Sequence, residues 1–488
     1  MKRQPFLTRF PSTIFATAKR RLQAAIRRRR QEVLGSSLSG YALLFGSILP
    51  TAVMESFDAT KRQRCFGNIP VFWAWLAQIL EANASCSKAL GLIQSWYQAQ
   101  DLPAPKGDTS GYCQARQRLG EKFLKQVSGK INESLRRATR PVDLWQGMVL
   151  KAIDGSSVQL MDTPANQGAY PQPSVQKKGC GFPVMGIVGV VNLSHGGWEG
   201  FETCGWKKHD ARMAPRLLKH IDQADLLMAD RAFCTYEFIA RLKDKGAHVL
   251  MRLHSARHRK LDWRRGRKLS PLERLVTWKR PANRPDTSDL SEEEWKALPK
   301  EMTLRYIKMS FEDRYGQKQS MVVVTDLLDA AEFDAMELFC LYARRWEIEV
   351  KLRDVKTTLG MEFFAVKTPE MAHKTLRMML IAYNLMRSLM QEAAAEADCP
   401  VWHVSLKGSL DLVTSSHESF RPLAGKPRLQ RQRRRQLIEI CATKLLDLRP
   451  FRREPRAKKR RPKPYQFLTK PRHVFQEIPH KQRYRKCA

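Results

Sequence analysis

Paired cysteines are missing from this chain. Its ten cysteines are scattered from Cys65 to Cys487, and no two have the Cys-x-x-Cys spacing. That argues against a zinc site and against a disulfide framework, and a reducing cytosol is the expected setting. Long apolar runs are missing too. The longest, YALLFGSILPTAVM from Tyr41 and VFWAWLAQIL from Val71, are too short to span a bilayer, so no membrane partner is expected. The basic start MKRQPFLTRF leads into no uninterrupted apolar segment with a small-residue cleavage site, so no secretory signal is predicted. Acids are scarce: 48 Asp and Glu stand against 86 Lys and Arg, a formal net charge of +38 over 488 residues. Such an excess implies a polyanionic partner, nucleic acid first and a membrane surface second. No internal repeat is visible.

What is present divides into five stretches. Residues 1–140 are basic and helical in pattern, beginning with an arm that ends in the run Arg27–Arg30; charge and helicity make this a candidate DNA-binding region. The texture changes near Val142. Over residues 141–253, MVLKAI, FPVMGIVGVVNL, WEGFETCGW, DLLMAD and AHVLMRLH read as strands, and ARMAPRLLKHIDQA and TYEFIARLKDKG as helices. Residues 254–327 break that rhythm with a basic irregular segment, an acidic loop and alternating strands, and read as an inserted, mainly β subdomain. Residues 328–400 return to helices. Residues 401–488 read as a basic tail, with fifteen Lys or Arg and two acids from Arg449 onward; within it RAKKRRPKPY is expected to lack structure of its own.

Three acids stand out because acids are rare. Asp154 ends the first predicted strand and Asp230 ends DLLMAD. Glu349 lies in LYARRWEIEVKLRDVKTTLG with Tyr342, Arg345 and Lys356. If that stretch is one helix, 100° per residue puts these four side chains within an arc of roughly 60°, with Glu347 on the opposite side. One face would then carry a carboxylate, two cations and a phenol. Three carboxylates held together suit a pair of hard divalent cations, which activate an attacking oxygen and stabilise a leaving one; strand ends of an α/β sheet are a good place to hold them. Each residue also has a bland reading. Asp154 before glycine could be a turn former, Asp230 a helix cap, Arg345 and Glu349 an ordinary i,i+4 ion pair, and Trp346 a core residue. Asp162, in LMDTPANQ, competes with Asp154 but precedes a proline in a loop. Asp210 and Asp222 read as surface residues.

Together these blocks resemble the DDE transposases of bacterial insertion sequences, and more closely the subgroup with a Tyr-Arg-Glu-Lys signature. The pattern Tyr, two residues, Arg, three residues, Glu, six residues, Lys is matched at every spacing by Tyr342, Arg345, Glu349 and Lys356. AIDGSSVQLMDTPANQGAYPQ resembles the block around the family's first Asp, and LLMADRAFCTYEFIARLKDKGAHVLMRLH the block around its second. The resemblance covers roughly residues 105–395. It implies an α/β fold: a ribonuclease-H-like core with a β-rich insertion between the second Asp and the Glu, flanked here by the helical N-terminal region and the basic tail. It further implies that Asp154, Asp230 and Glu349 hold Mg²⁺ or Mn²⁺, two ions, as the catalytic set. Tyr342, Arg345 and Lys356 would grip DNA phosphates, and Trp346 would stack on a displaced base. A second stacking tryptophan has only Trp278 and Trp295 as candidates. The implied partners are double-stranded DNA (element ends and target) and a second copy in a homodimer on paired ends. The implied setting is the bacterial cytoplasm, at the nucleoid. Two other readings keep the same residues: a ribonuclease-H-like nuclease without strand transfer, and a non-catalytic DNA-binding derivative.

Overall fold

The computed structural model describes residues 40–58, 66–82, 84–98, 103–205, 210–312, 317–446 and 467–475. The arm of residues 1–35 and the RAKKRRPKPY run lie outside them. Ten helices of eight or more residues occur among the described residues: α1 (Asn68–Leu80), α2 (Cys86–Gln98), α3 (Ser110–Arg118), α4 (Glu121–Arg137), α5 (Tyr236–Asp244), α6 (Ala335–Ala343), α7 (Trp346–Arg353), α8 (Pro369–Glu396), α9 (Leu406–Ser416) and α10 (Pro427–Ala442). The strands are β1 (Leu150–Leu160), β2 (Val184–Asn192), β3 (Trp198–Gly205), β4 (Leu226–Ala229), β5 (His248–Arg252), β6 (Arg267–Ser270), β7 (Glu273–Lys279), β8 (Glu301–Glu312), β9 (Lys318–Thr325) and β10 (Phe363–Phe364). None of the described helices is long and apolar enough to cross a membrane.

The chain forms two compact units. One joins residues 1–134 to 405–444; the other joins 135–404 to 445–488. In the first, α1 is apolar on all sides and buries Val71 to Ala77 without a break, as such a pattern demands. The Arg116 guanidinium lies 4.3 Å from the centre of the Trp75 ring, and Tyr41 stacks on His417 at 3.9 Å. Gly40 has no side chain for a reason: a Cβ there would stand 1.5 Å from the His417 carbonyl oxygen. The stretch predicted as a basic tail therefore begins with helices α9 and α10, which belong to this unit; the proline opening α10 stands at a position where no backbone donor is needed.

The second unit is built on one sheet in the order β3-β2-β1-β4-β5-β9-β8-β7-β6, with β10 beside β1. β1, β2 and β3 form an antiparallel meander; β4 and β5 run parallel to β1. One in-register row, Val190–Ile153–Ala229–Met251–Val324, faces a core shared with Phe238, Ile239 and Leu242 of α5. Because side chains alternate along strands, the neighbouring row faces the other way. There Gly189 pairs with Asp154 and Val323 with Arg252, and Asp230 follows Ala229 between them. On this side α8 is tied down by Asn384, which accepts from the Trp198 amide and donates to its carbonyl, both at 2.8 Å.

Several expectations change. β1 does not end at Asp154 but runs on to Leu160. The segment ARMAPRLLKHIDQA forms one short turn of helix, Asp210–Met213, and then a 3₁₀ stretch, Ala214–His220, because Pro215 cannot donate to an α-helical ladder. The strands of residues 254–327, read as an inserted β subdomain, also join the central sheet, since β9 pairs antiparallel with β5. Arg305 of β8, fully buried, fastens this extension. Its guanidinium is bonded to Glu273 of β7, with one contact at 2.8 Å, and donates to the carbonyls of Asp329 at 3.2 Å and Phe333 at 2.7 Å. It thereby holds the connection that leads into α6.

Candidate active site

The stretch carrying Tyr342, Arg345, Glu349 and Lys356 is not one uniform helix. It tightens between α6 and α7, where Arg345 N–H bonds Tyr342 O at 3.0 Å and Ile348 N–H bonds Arg345 O at 3.1 Å; the Arg344–Glu347 pair, 2.8 Å, braces that turn. Beyond α7 it widens over Asp354–Thr358, with Leu359 N–H reaching back five residues to Asp354 O. Residues three apart eclipse in a tight turn, and the Arg345 guanidinium lies 6.0 Å from the Tyr342 ring centre.

Asp154 lies at mid-strand in β1, its side chain 22% exposed, with Oδ1 accepting from the Gly155 amide at 2.8 Å. Arg345 reaches it: Nη1 stands 3.8 Å from Asp154 Oδ2, while Nη2 donates to Glu349 Oε1 at 3.1 Å. The half-buried guanidinium thus joins the strand acid to the helix acid. Asp230 stands directly after β4, its Oδ1 accepting from the Ala232 amide at 2.8 Å. Ile153 pairs with Ala229, so Asp154 and Asp230 each follow a residue of one in-register parallel pair, Asp230 just past the end of β4, where neighbouring strands lie about 4.8 Å apart.

The electrostatics follow. Burial lifts the Asp154 carboxyl to about 6; Asp230 and Glu349 push it the same way, against the Gly155 hydrogen bond and Arg345. Burial alone would lower Arg345, but Tyr342, Glu349 and Asp154 outweigh it and hold the guanidinium above its usual range. The Tyr342 hydroxyl is buried, pushed up to about 12 by that burial, and donates to the Ala229 carbonyl at 3.2 Å. It therefore pins α6 to the end of β4, one residue before Asp230. Lys356 is drawn below its usual value by burial, with Glu362 opposing. Trp346 is 62% exposed, so it is not a core residue. Trp278 and Trp295 are: each is 2% exposed, the first donating to the Tyr306 hydroxyl at 2.6 Å and the second to the Pro281 carbonyl at 3.3 Å. Neither is open for stacking. Asp162 is taken by Gln167 at 2.9 Å and Arg472 at 2.6 Å, and exposed Asp222 pairs with Lys151 at 3.2 Å.

Two cations missed in the sequence complete the row. Arg252 ends β5, the next parallel strand after β4, and acts electrostatically on Tyr342. With Arg231, directly after Asp230, and with His258 and Arg259, it lines a hollow of about 100 Å³. Arg231 was visible as a neighbour of a candidate acid; Arg252 needed the strand register.

All three acids offer oxygen donors, the chemistry a hard divalent cation takes. Among the described residues no three His, Cys, Asp or Glu side chains close on one point; in this arrangement the compensating cation is Arg345.

Residues 145–385 match the family model described as a transposase DDE domain. This stretch is a transposase DDE domain. The chain is similar to the transposase InsG for insertion sequence element IS4 of Escherichia coli K12, 26% identical over 369 residues, covering 74% of this chain and 77% of that one. It is also similar to InsZ of the same organism, named as a transposase, 24% identical over 213 residues, 42% of this chain and 69% of the relative. The transposase domain spans the sheet, both strand acids and the helices carrying Tyr342, Arg345 and Glu349. Domains of this family generally use divalent metal ions, which agrees with the all-oxygen donor set.

The raised Asp154 carboxyl gives a stability test. Its folded form binds a proton more tightly than the unfolded chain does, so stability falls as pH rises from about 4 to about 6 and stays lower above that. With chelator present, Asp154→Asn removes this loss and stabilises the sheet unit at pH 7.5 by on the order of 2 kcal/mol, with little gain at pH 4. Thermal melts at the two pH values check it; an equal effect at both would contradict the electrostatic reading.

Proposed function

We propose that this protein is a transposase of the Tyr-Arg-Glu-Lys subgroup and moves its element by cut-and-paste. It binds the terminal inverted repeats, pairs two ends as a homodimer, and cleaves and joins DNA with Mg²⁺ or Mn²⁺, two ions, at Asp154, Asp230 and Glu349. The observation that carries this reading is that Asp230, directly after β4, follows the residue paired with Ile153, next to Asp154 on β1, while Arg345 links Asp154 to Glu349. The meander β1–β3 followed by parallel β4 and β5 supports a ribonuclease-H-like core.

In the first step a water oxygen attacks a phosphorus at the element end. The bond from phosphorus to the 3′ oxygen breaks, leaving a 3′-OH and a 5′-phosphate, and the water gives up a proton. In the second step that 3′-OH attacks a phosphorus of target DNA, and the bond to the target's own 3′ oxygen breaks, so bonds made and broken balance. Bound divalent ions supply charge stabilisation for the attacking and leaving oxygens. The protein's residues do the rest. The three carboxylates hold the cations and Lys356 adds positive charge near the DNA. Arg345 is freed from Asp154 and Glu349 to fork onto a phosphate. Tyr342 acts by fixing α6 at Asp230 rather than by meeting phosphate in the buried position described here. Arg252 and Arg231 take a neighbouring phosphate in their hollow. Exposed Trp346, one residue from Arg345, is free to stack on a displaced base.

The test is an end-labelled duplex carrying one terminus of the encoding element, mixed with full-length protein, Mg²⁺ and a target plasmid. Nicking at the element boundary and transfer of label into the plasmid are expected, and both are lost with chelator. Nicking without any joined product would instead favour a nuclease.

A further inference from the structure

The Arg-rich helix α10 has a surface that neither the acid set nor the sheet accounts for. Its sequence, PRLQRQRRRQLIEICA, holds five arginines and one glutamate, and no lysine. It docks on its own unit through buried Leu437 and Cys441, while Arg434 donates to the Leu44 carbonyl at 3.2 Å. At 100° per residue the side opposite that stripe is occupied by Arg428, Gln432 and Arg435, at i, i+4 and i+7, with Arg431 beside them. All four are exposed. Arg435 has an acidic partner on the helix, Glu439 at 3.0 Å, with side chains 76% and 46% exposed. Such a pair is worth a few tenths of a kcal/mol and yields readily to a phosphate or a base.

An ordinary solvated helix face mixes both signs. This face instead repeats the two side chains best shaped for base edges: the arginine fork for guanine and the glutamine amide for adenine. Its exposed stripe spans about two turns, roughly 11 Å of helix, and a major groove is about 12 Å wide. The deep, narrow major groove of double-stranded RNA does not admit such a helix. We propose that α10 is a DNA-reading helix whose Arg428, Gln432 and Arg435 enter the major groove of duplex DNA. It does so as part of one unit with the helices of residues 40–134, so DNA recognition is divided between two distant parts of the sequence. This inference rests on the DNA-binding reading and not on the identity of the catalytic acids.

The experiment measures binding of the full-length protein, in chelator so that nothing is cut, to a labelled duplex of its element end and to an unrelated duplex of equal length. Three proteins are compared: wild type, the triple variant Arg428→Ala, Gln432→Ala, Arg435→Ala, and the double variant Arg428→Lys, Arg435→Lys. All three positions are exposed, so thermal stability stays close to wild type. The triple variant is expected to lose about 10- to 100-fold in affinity for the element end. The lysine variant keeps its affinity for the unrelated duplex and its salt dependence but loses most of the preference for the element end, because lysine supplies charge without the fork. Unchanged affinities in the triple variant overturn the proposal. So does a lysine variant that keeps the full preference, which would leave the face with phosphate contacts alone. Wild type that binds neither duplex would instead sink the DNA-binding reading itself.

Discussion

Asp154→Ala, Asp230→Ala and Glu349→Ala are each expected to slow DNA nicking by about three orders of magnitude or more, while DNA binding changes only a few-fold. A loss of that size is about 4 kcal/mol of transition-state stabilisation, the scale on which a divalent ion stabilises developing charge. On the proposed reading the three acids serve one charge centre, so a double alanine variant falls little further than a single one. Stability separates this from unfolding. Asp154 is held ionised at a cost, since burial and two neighbouring carboxylates lift its carboxyl to about 6. Removing it therefore leaves a protein at least as stable as wild type at neutral pH, and inactive. A structural ion pair behaves the opposite way, losing stability when one partner is deleted.

The second large effect lies away from the acids. Glu273→Ala leaves Arg305, fully buried, without its carboxylate, and stranding a buried charge costs about 3–5 kcal/mol. Three carbonyl contacts remain to Arg305, from Leu327, Asp329 and Phe333, and they do not neutralise it. The melting transition of the sheet unit is expected to fall by roughly 10 °C. Glu273→Gln, which keeps an acceptor but not the charge, falls by roughly half as much. Differential scanning calorimetry checks both; an alanine variant melting within a degree of wild type would show that Arg305 finds water or another partner. Because Arg305 also holds the connection into α6, nicking by Glu273→Ala is lost at a lower temperature than in wild type.

Much of the domain was legible because its signals are local. Asp230 ends a short apolar run, and that run is β4. The Asn192–Gly197 turn, the helix after Asp230 and the strand before Arg252 all follow from apolar runs and turn residues. The spacing of Tyr342, Arg345, Glu349 and Lys356 brought out the helical acid, although the backbone there is tight at one end and wide at the other rather than uniformly wound. What stayed hidden depends on pairing between distant segments. That β9 joins β5, making the β-rich insertion an extension of the sheet, is a matter of register. So is the place of Arg252 beside Asp230. Trp278 and Trp295 looked available because tryptophan carries no mark of burial in sequence; Arg257, 3.8 Å over the Trp278 ring, shows how such a residue is covered. The unit containing α9 and α10 was hidden for the same reason, since its halves are some 270 residues apart.

The account turns on three carboxylates forming one metal-dependent site for DNA cleavage. The most direct measurement is nicking of a labelled element end, with and without Mg²⁺, by wild type and the Asp154→Ala, Asp230→Ala and Glu349→Ala variants side by side. Wild type that cuts only with the metal, and variants that bind the end without cutting it, is the predicted result. Variants that cut at the wild-type rate, or wild type that cuts equally well in chelator, would contradict it.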